Sequence, residues 1–466
     1  MMTLTIIEQL SKYCSDAHEN LLEDSDLALV ARAMLDTVAA GLAAYQEPVV
    51  TKLFNSVPES SKMNRSGAGA WNLIHRNFSL TAEHSALVNA TACHALDFDD
   101  TGGATQSHPS AMLFPVLWAL SESIDVSWKH FATAYTVGLE VFNRLSALVP
   151  NMHSKGWHPS STIGVVAASA AGCYLLKLSK TVSANALALS ASMPAGLIVN
   201  FGTMAKPMHL GISARNAVNA VQWSQHEISA STNVFDHRTG WFTVLGYSLL
   251  KQHDLKLVSK FGELIIRDPG LNVKLYPSCS LSHRIIHIVL GLVIDNNIDY
   301  REVKKVRCYA TPKAKGILTI DTPKSGLEGK FSVPYVVARS LFSSSVEVKH
   351  FKDKAVSELP VVDLMEKVSF EVHPHWTDKT DPWTPDRVVI EMINGSEVEG
   401  ECVYPPGHSK NAVDDNVVIA KYLNSAAYAG VEEKAARLFV ENLFDSNSER
   451  RLYDVLFSLR QDKNEV

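Results

Sequence analysis

Between His158 and Ala205 the chain carries only two charges, Lys177 and Lys180, in a run otherwise rich in Ala, Gly and Ser. This run constrains the fold most, because a segment with so little to offer water has to be enclosed by other segments. A membrane hairpin would need about 20 predominantly apolar residues per span. The first part of the run falls short of that after its polar start, and the second part is interrupted by Asn185, Pro194 and Asn200. Two closely packed, fully buried helices in the middle of a bundle fit the run better, and no membrane partner is expected.

Helical spacing of apolar residues predicts further helices over Leu4–Cys14, Leu27–Ala44, Thr81–Leu96, Ser110–Ser123, Ser127–Leu148, Leu210–Ser229 and Trp241–Leu250. Lys62–Trp71 reads as a surface loop. Its single GxG at Gly67–Gly69 lacks the preceding strand and third glycine of a phosphate-binding turn. No alternating strand is expected before about residue 260, and there the period changes. Lys304–Ala310, Val368–Val372, Arg387–Ile393 and Glu397–Val403 read as strands, the last two joined across Asn394-Gly395, a type I′ hairpin signal. Helices are expected among them at His283–Asn297, Phe331–Phe342 and Val361–Lys367, and again over Val413–Tyr428, Val431–Leu443 and Glu449–Leu459. The expected fold is therefore two-domain. A large all-α helical domain begins over 1–268, a smaller α+β domain over 269–404 is inserted before the C-terminal helices, and a helical segment over 405–466 returns to the first domain.

The chemistry concentrates in HALDFDDTGGATQSHP, His94–Pro109, which sets two histidines beside Asp97, Asp99, Asp100, Thr101 and Thr105 between two apolar helical segments. A solvated turn, with an aspartate capping the next helix and Gly102-Gly103 supplying positive φ, is one reading. A carboxylate–histidine acid/base cluster on a loop held by rigid helices is the other. Three more polar islands lie elsewhere: Gly156-Trp157-His158-Pro159, a loop carrying Lys206 and His209 ahead of a helix, and Leu271–Arg284 with Lys274, Cys279, His283 and Arg284 at the proposed domain junction. A lysine partly desolvated near histidines can serve as a base. Cys279 reads as a small packing residue, since a reactive thiol needs an electropositive setting.

With a net charge of −6 the chain has no overall basic field, so neither a nucleic acid nor an anionic membrane surface is an expected partner. Six scattered cysteines without a CxxC pair argue against a disulfide framework and a zinc knuckle, and no HExxH occurs, so no metal is expected. Cytosol is the default compartment. The N-terminus lacks a basic stretch followed by an apolar one, so no signal peptide is expected.

In this order, ATACHALDFDDT, SHPSA, GWHPSSTIGV, FGTMAKPMHLG and LYPSCSLSH resemble the MmgE/PrpD family, which includes 2-methylcitrate dehydratases, cis-aconitate decarboxylases and iminodisuccinate epimerases. The resemblance implies a helical domain built from both chain ends, a smaller α+β domain, a homodimer, and a site between domains that uses neither metal nor other cofactor. It carries the family's functional positions onto Asp97, Thr101, His108, His158, Lys206 and Lys274. The Thr101–His108 spacing is one residue longer than the decarboxylases imply, Cys279 stands where they carry a histidine, and Leu318–Pro323 offers no tyrosine. Length and wording resemble iminodisuccinate epimerase most. The expected reaction is proton abstraction and return at a carbon next to a carboxylate of a small polycarboxylate. Lys206 and His108 would be the acid/base pair, with Asp97 orienting a histidine. Thr101, His158, Lys274, Arg284, Cys279 and His283 would contact substrate. Dehydration of a citrate-like acid is the alternative, and decarboxylation a weaker one.

Overall fold

The computed structural model describes residues 4–17, 21–64, 73, 78–102, 105, 107–249, 264–374, 376, 384–445 and 447–460. In chain order the helices of the first part are α1 (Ile6–Asp16), α2 (Asp24–Ala43), α3 (Pro48–Ser56), α4 (Ala82–Ala95), α5 (Ser110–Ser121), α6 (Trp128–Leu148), α7 (Pro159–Thr162), α8 (Gly164–Leu175), α9 (Lys180–Ala191), α10 (Ala205–Gln225) and α11 (Trp241–Val244). Two short strands, β1 (Lys62–Asn64) and β2 (Phe78–Leu80), pair antiparallel before α4. The expectation of no strand before residue 260 is thus corrected, since three-residue strands are too short to show a period. Most of the Lys62–Trp71 loop, with its GxG, and Gly103 lie outside the described residues.

Every residue of α8 is buried, as the near-absence of charge requires. It packs against α5, α6, α9 and α10. The second half of the charge-poor run departs from expectation. Only one face of α9 is buried, and after it Pro194 and Gly196, at φ 104°, break the helix. Leu197 and Val199 are left 50% and 83% exposed. Among the described residues no single helix is long and apolar enough to cross a membrane.

The second part continues with α12 (His283–Asp295), α13 (Pro312–Ile317), α14 (Gly326–Gly329), α15 (Val333–Ser343), α16 (Asp353–Val356) and α17 (Leu359–Met365), interleaved with β3 (Val303–Ala310), β4 (Val368–Val372), β5 (Asp386–Met392) and β6 (Glu397–Cys402). The sheet order is β4-β3-β5-β6, with β3–β4 parallel and the other pairs antiparallel. The β5–β6 hairpin forms where Asn394-Gly395 predicted it, but the turn is not type I′. Gly395 donates to Met392, and of the loop residues Gly395 alone takes a positive φ, 87°. That is a three-residue loop closed by a left-handed glycine. Then follow α18 (Asp415–Tyr428), α19 (Glu433–Leu443) and α20 (Leu452–Arg460).

The molecule is mostly helical with a small sheet toward the C-terminal part. One apolar cluster gathers residues from Ile6 to Val273 and then resumes with Val418, Tyr422, Phe439 and Leu456, while a second runs from Cys279 to Cys402. Within the first, α4 and α10 touch at Gly211, where a Cβ would collide with Thr91 Oγ1 and the Leu87 carbonyl. This close approach matters because α4 leads into the polar loop and α10 carries Lys206. Gly211→Ala should therefore destabilise the protein by about 1–3 kcal/mol through overpacking, outweighing the roughly 0.5–1 kcal/mol that alanine gains in a helix interior. Urea denaturation checks the sign, and a more stable variant would contradict the close packing.

Candidate active site

Helix α4 ends because the chain reverses at Asp97, which sits at φ 52°, a left-handed conformation that aspartate tolerates better than most residues. A helix end leaves carbonyls without partners; here one lysine ammonium meets such a carbonyl and two more meet carbonyls of the loop that follows. Lys330 donates to Ala95 O at 2.9 Å, Lys274 to Asp97 O at 3.0 Å and Lys421 to Phe98 O at 2.7 Å. Lys421 also pairs with Asp36 at 2.7 Å, reaches Lys274 O at 3.0 Å and lies 3.8 Å from the Phe98 ring centroid. Burial pushes the Lys330 amine down to about 8.

The Asp97 carboxylate is buried and held from both sides. Lys206 Nζ donates to Oδ2 at 2.5 Å, and Lys274 Nζ pairs with Oδ1. Burial alone would raise this carboxyl; Lys206 and Lys274, followed by His108 and His94, hold it well below the usual carboxylate range. Lys206 also lies over Phe201 and Phe331, at 5.1 and 5.0 Å from their ring centroids. Lys206 and His209 were expected in a loop, but both lie in the first turns of α10, because Met204–Ala205 already opens the helix and Pro207 is tolerated in a first turn. Lys274 is positioned by Asn272, which exchanges backbone hydrogen bonds with Thr101 at 3.0 and 2.8 Å.

His108 Nε2 lies 3.6 Å from Asp97 Oδ1, and its Nδ1 lies 3.2 Å from Asp99 Oδ2. Asp99 is thus the closer carboxylate. It also accepts from His94 Nδ1 at 2.9 Å. Despite its burial, His108 and His94 hold Asp99 well below the usual range. Burial pushes His94 down to about 3, so this ring is neutral. The His94 and His108 centroids are 4.4 Å apart. His158, next to His209 at 3.2 Å between Nδ1 atoms, is also driven well down by burial and the surrounding histidines and Lys206.

Asp97, His108, His158, Lys206 and Cys279 line one cleft, together with His153, Ser160, Phe201, Ser280, Leu281, Lys313, Ile317 and Phe331. The wall's apolar residues, Phe201, Cys279, Leu281, Ile317 and Phe331, all belong to or pack against the second cluster, while its histidines, Asp97 and Lys206 come from the first part of the chain. Lys274 reaches it through Asp97. The Thr101 hydroxyl instead accepts from Asn272 Nδ2 at 3.2 Å and does not line the cleft. Neither does His283, whose Nε2 is 3.2 Å from Ser278 O, nor Arg284, which binds Thr384 O at 3.1 Å and Asp386 at 3.4 Å. Substrate contact by these three is not what their placement favours. Burial raises the Cys279 thiol. A second cleft, lined by the end of α5 and by α20, offers Glu122 and an exposed Arg451–Asp125 pair at 2.9 Å, with no converging buried groups among the described residues.

His94, Asp97, Asp99 and His108 offer donor atoms within 4.8 Å of one another, a donor set that suits a divalent cation. Both Asp97 oxygens already face ammonium groups, however, so a cation would meet two like charges. His283 and His287 also have HxxxH spacing on α12, but His283 is committed to Ser278.

Sequence reasoning passed over Lys421, Lys330, His153 and Lys313. For Lys421 a signal existed, because it shares the apolar stripe of α18 with Val418, Tyr422 and Ser425, all buried. Asp36 likewise interrupts the buried face of α2.

The MmgE/PrpD N-terminal domain model matches residues 8–250 and the MmgE/PrpD C-terminal domain model residues 276–445. The chain belongs to the MmgE/PrpD family. It is 26% identical over 384 residues to the cis-aconitate decarboxylase of Mus musculus, covering 80% of this chain and 77% of that protein. The Homo sapiens enzyme gives 26% over 384 residues, with 80% and 78% covered. A cis-aconitate decarboxylase-like protein of Aspergillus oryzae gives 23% over 405 residues, with 82% and 83% covered. Two of these relatives are named cis-aconitate decarboxylases and the third a decarboxylase-like protein.

The loop also predicts a pH dependence. Burial, then the Asp36 carboxylate, raises Asp100 to about 8, while hydrogen bonds from Ser110 pull it back. An unfolded aspartate titrates near 3.9. Between those values the folded chain keeps a proton that the unfolded chain has lost, so stability from this group is full below about pH 4 and is lost as pH rises through 8. Asp100→Asn should flatten the decline between about pH 4 and 8 in denaturant titrations. An equally steep decline in the variant would contradict the assignment.

Proposed function

We propose that this protein catalyses proton transfer at a carbon next to a carboxylate of a small polycarboxylic acid, and that its reaction is epimerisation of a polycarboxylic amino-acid derivative of the iminodisuccinate type. The observation that carries the reading is the Asp97 carboxylate clamped between Lys206 and Lys274, with His108 at 3.6 Å, on the wall of a cleft. Removing a proton next to a carboxylate leaves a charge-rich enolate-like anion. Fixed ammonium groups and neutral imidazoles that donate hydrogen bonds are what such an anion needs. Lys206 and His108 take the acid/base roles, one removing the proton and the other returning it to the opposite face. Asp97 orients the two lysines, and Asp99 orients His108. His158, neutral and in the wall, donates to a substrate oxygen.

A lyase is the second reading, favoured by the similarity to cis-aconitate decarboxylases. The same anion can form by loss of carbon dioxide, after which His108 protonates the carbon, or can expel a hydroxyl group to give a double bond. The products separate the readings. An epimerase changes the configuration of the acid and releases neither carbon dioxide nor an ultraviolet-absorbing alkene.

Lys206→Ala and His108→Ala should each lower turnover by about 10²–10⁴-fold, the contribution of a positioned acid or base. The check is a polyacid panel assayed by chiral chromatography, carbon dioxide release and absorbance. Unchanged turnover in either variant would contradict its role.

A further inference from the structure

Lys206, in the cleft wall, and Lys274, outside its lining, both spend charge on Asp97, the one carboxylate among the lining residues. A substrate with more than one carboxylate needs a further positive group. Lys313 lines the same cleft and has no ion-pair or hydrogen-bond partner for its ammonium among the described residues. Its neighbours differ: Lys315 lies over the Phe370 ring at 4.9 Å, and Lys155 donates to Gly246 O at 2.6 Å.

The position of Lys313 is built into the fold. Thr311 caps α13 by accepting from Ala314 N at 3.2 Å, and Pro312 begins the helix. Ala314 and Leu318 are buried in the second apolar cluster. Lys313 and Ile317, four residues apart and so on one helix face, both line the cleft. Facing them is His153, on a short 3₁₀ turn of the helical part. Burial, then Lys313, His108 and Lys206, brings His153 down to about 3, so it meets an anion as a neutral donor that does not compete with the lysine for counter-charge.

We infer that Lys313 and His153 form a second carboxylate subsite at the mouth of the cleft, holding the substrate carboxylate remote from the reacting carbon. The inference rests on the polycarboxylate reading above and deepens it. It makes the substrate a polycarboxylate that spans from the Asp97 clamp to α13, gripped by one residue of the helical part and one of the α+β part.

The test is titration calorimetry of the full chain with tricarballylate, succinate and propionate, which carry three, two and one carboxylates. Lys313→Ala should weaken tricarballylate about tenfold, the scale of one charge-assisted hydrogen bond, and leave propionate unchanged. Lys313→Arg should restore most of the affinity, and Lys315→Ala should have no effect. If Lys313→Ala binds tricarballylate as tightly as the unaltered protein while Lys206→Ala loses it, the subsite is overturned and the polycarboxylate reading stands. An equal loss in Lys315→Ala would also overturn the subsite, since it would reveal only a general field. If the unaltered protein binds none of the three acids, both inferences fall.

Discussion

A buried carboxylate cannot remain charged without partners, because leaving water costs several kcal/mol per ion. Asp97 is such a group, and much of the architecture can be understood as the means of supplying its partners. One ammonium comes from the first turns of α10 and another from the extended segment after Asn272. Removing either would leave an uncompensated charge in the interior. The close approach of α4 and α10 at Gly211 and the Thr101–Asn272 backbone pair therefore set the positions of the two ammoniums.

The same loop solves a second electrostatic problem. The carbonyls at the end of α4 carry the negative end of the helix dipole; Lys330 satisfies Ala95 there, and Lys274 and Lys421 satisfy Asp97 and Phe98 in the loop beyond it. These lysines come from the second apolar-cluster region, from the junction and from the C-terminal helices. Three parts of the chain thus meet on one turn of backbone, and the left-handed Asp97 is held by contacts on every side. A loop fixed this firmly can present acid and base groups without reorganising when charge develops on a substrate.

Periodicity read the long elements well, since α4, α6, α12 and the strands β3 to β6 all fall where apolar spacing put them. It missed β1 and β2, too short to carry a period, and it took the helix of the second charge-poor stretch as fully buried where only one face of α9 is. For the site, the polar loop and the islands around His158, Lys206, Lys274 and Cys279 could be found because polar residues between apolar helices stand out. Arg284 and His283 looked alike by that criterion, yet they turn toward Asp386 and Ser278. Sequence neighbours on a helix point in different directions, and one-dimensional proximity does not say which. Lys421 was hidden for the opposite reason, since its partner Asp36 lies at the far end of the chain.

The central claim is that the Asp97 clamp exists to draw a proton from carbon. Proton NMR in heavy water, following the C–H signals of an aspartate-derived or citrate-like polyacid incubated with the protein, tests it most directly. The account predicts enzyme-dependent loss of the signal beside a carboxylate as deuterium enters, at a rate sharply reduced by Asp97→Asn. Exchange equally fast in that variant, or turnover of the acid with no deuterium entering at carbon, would contradict it.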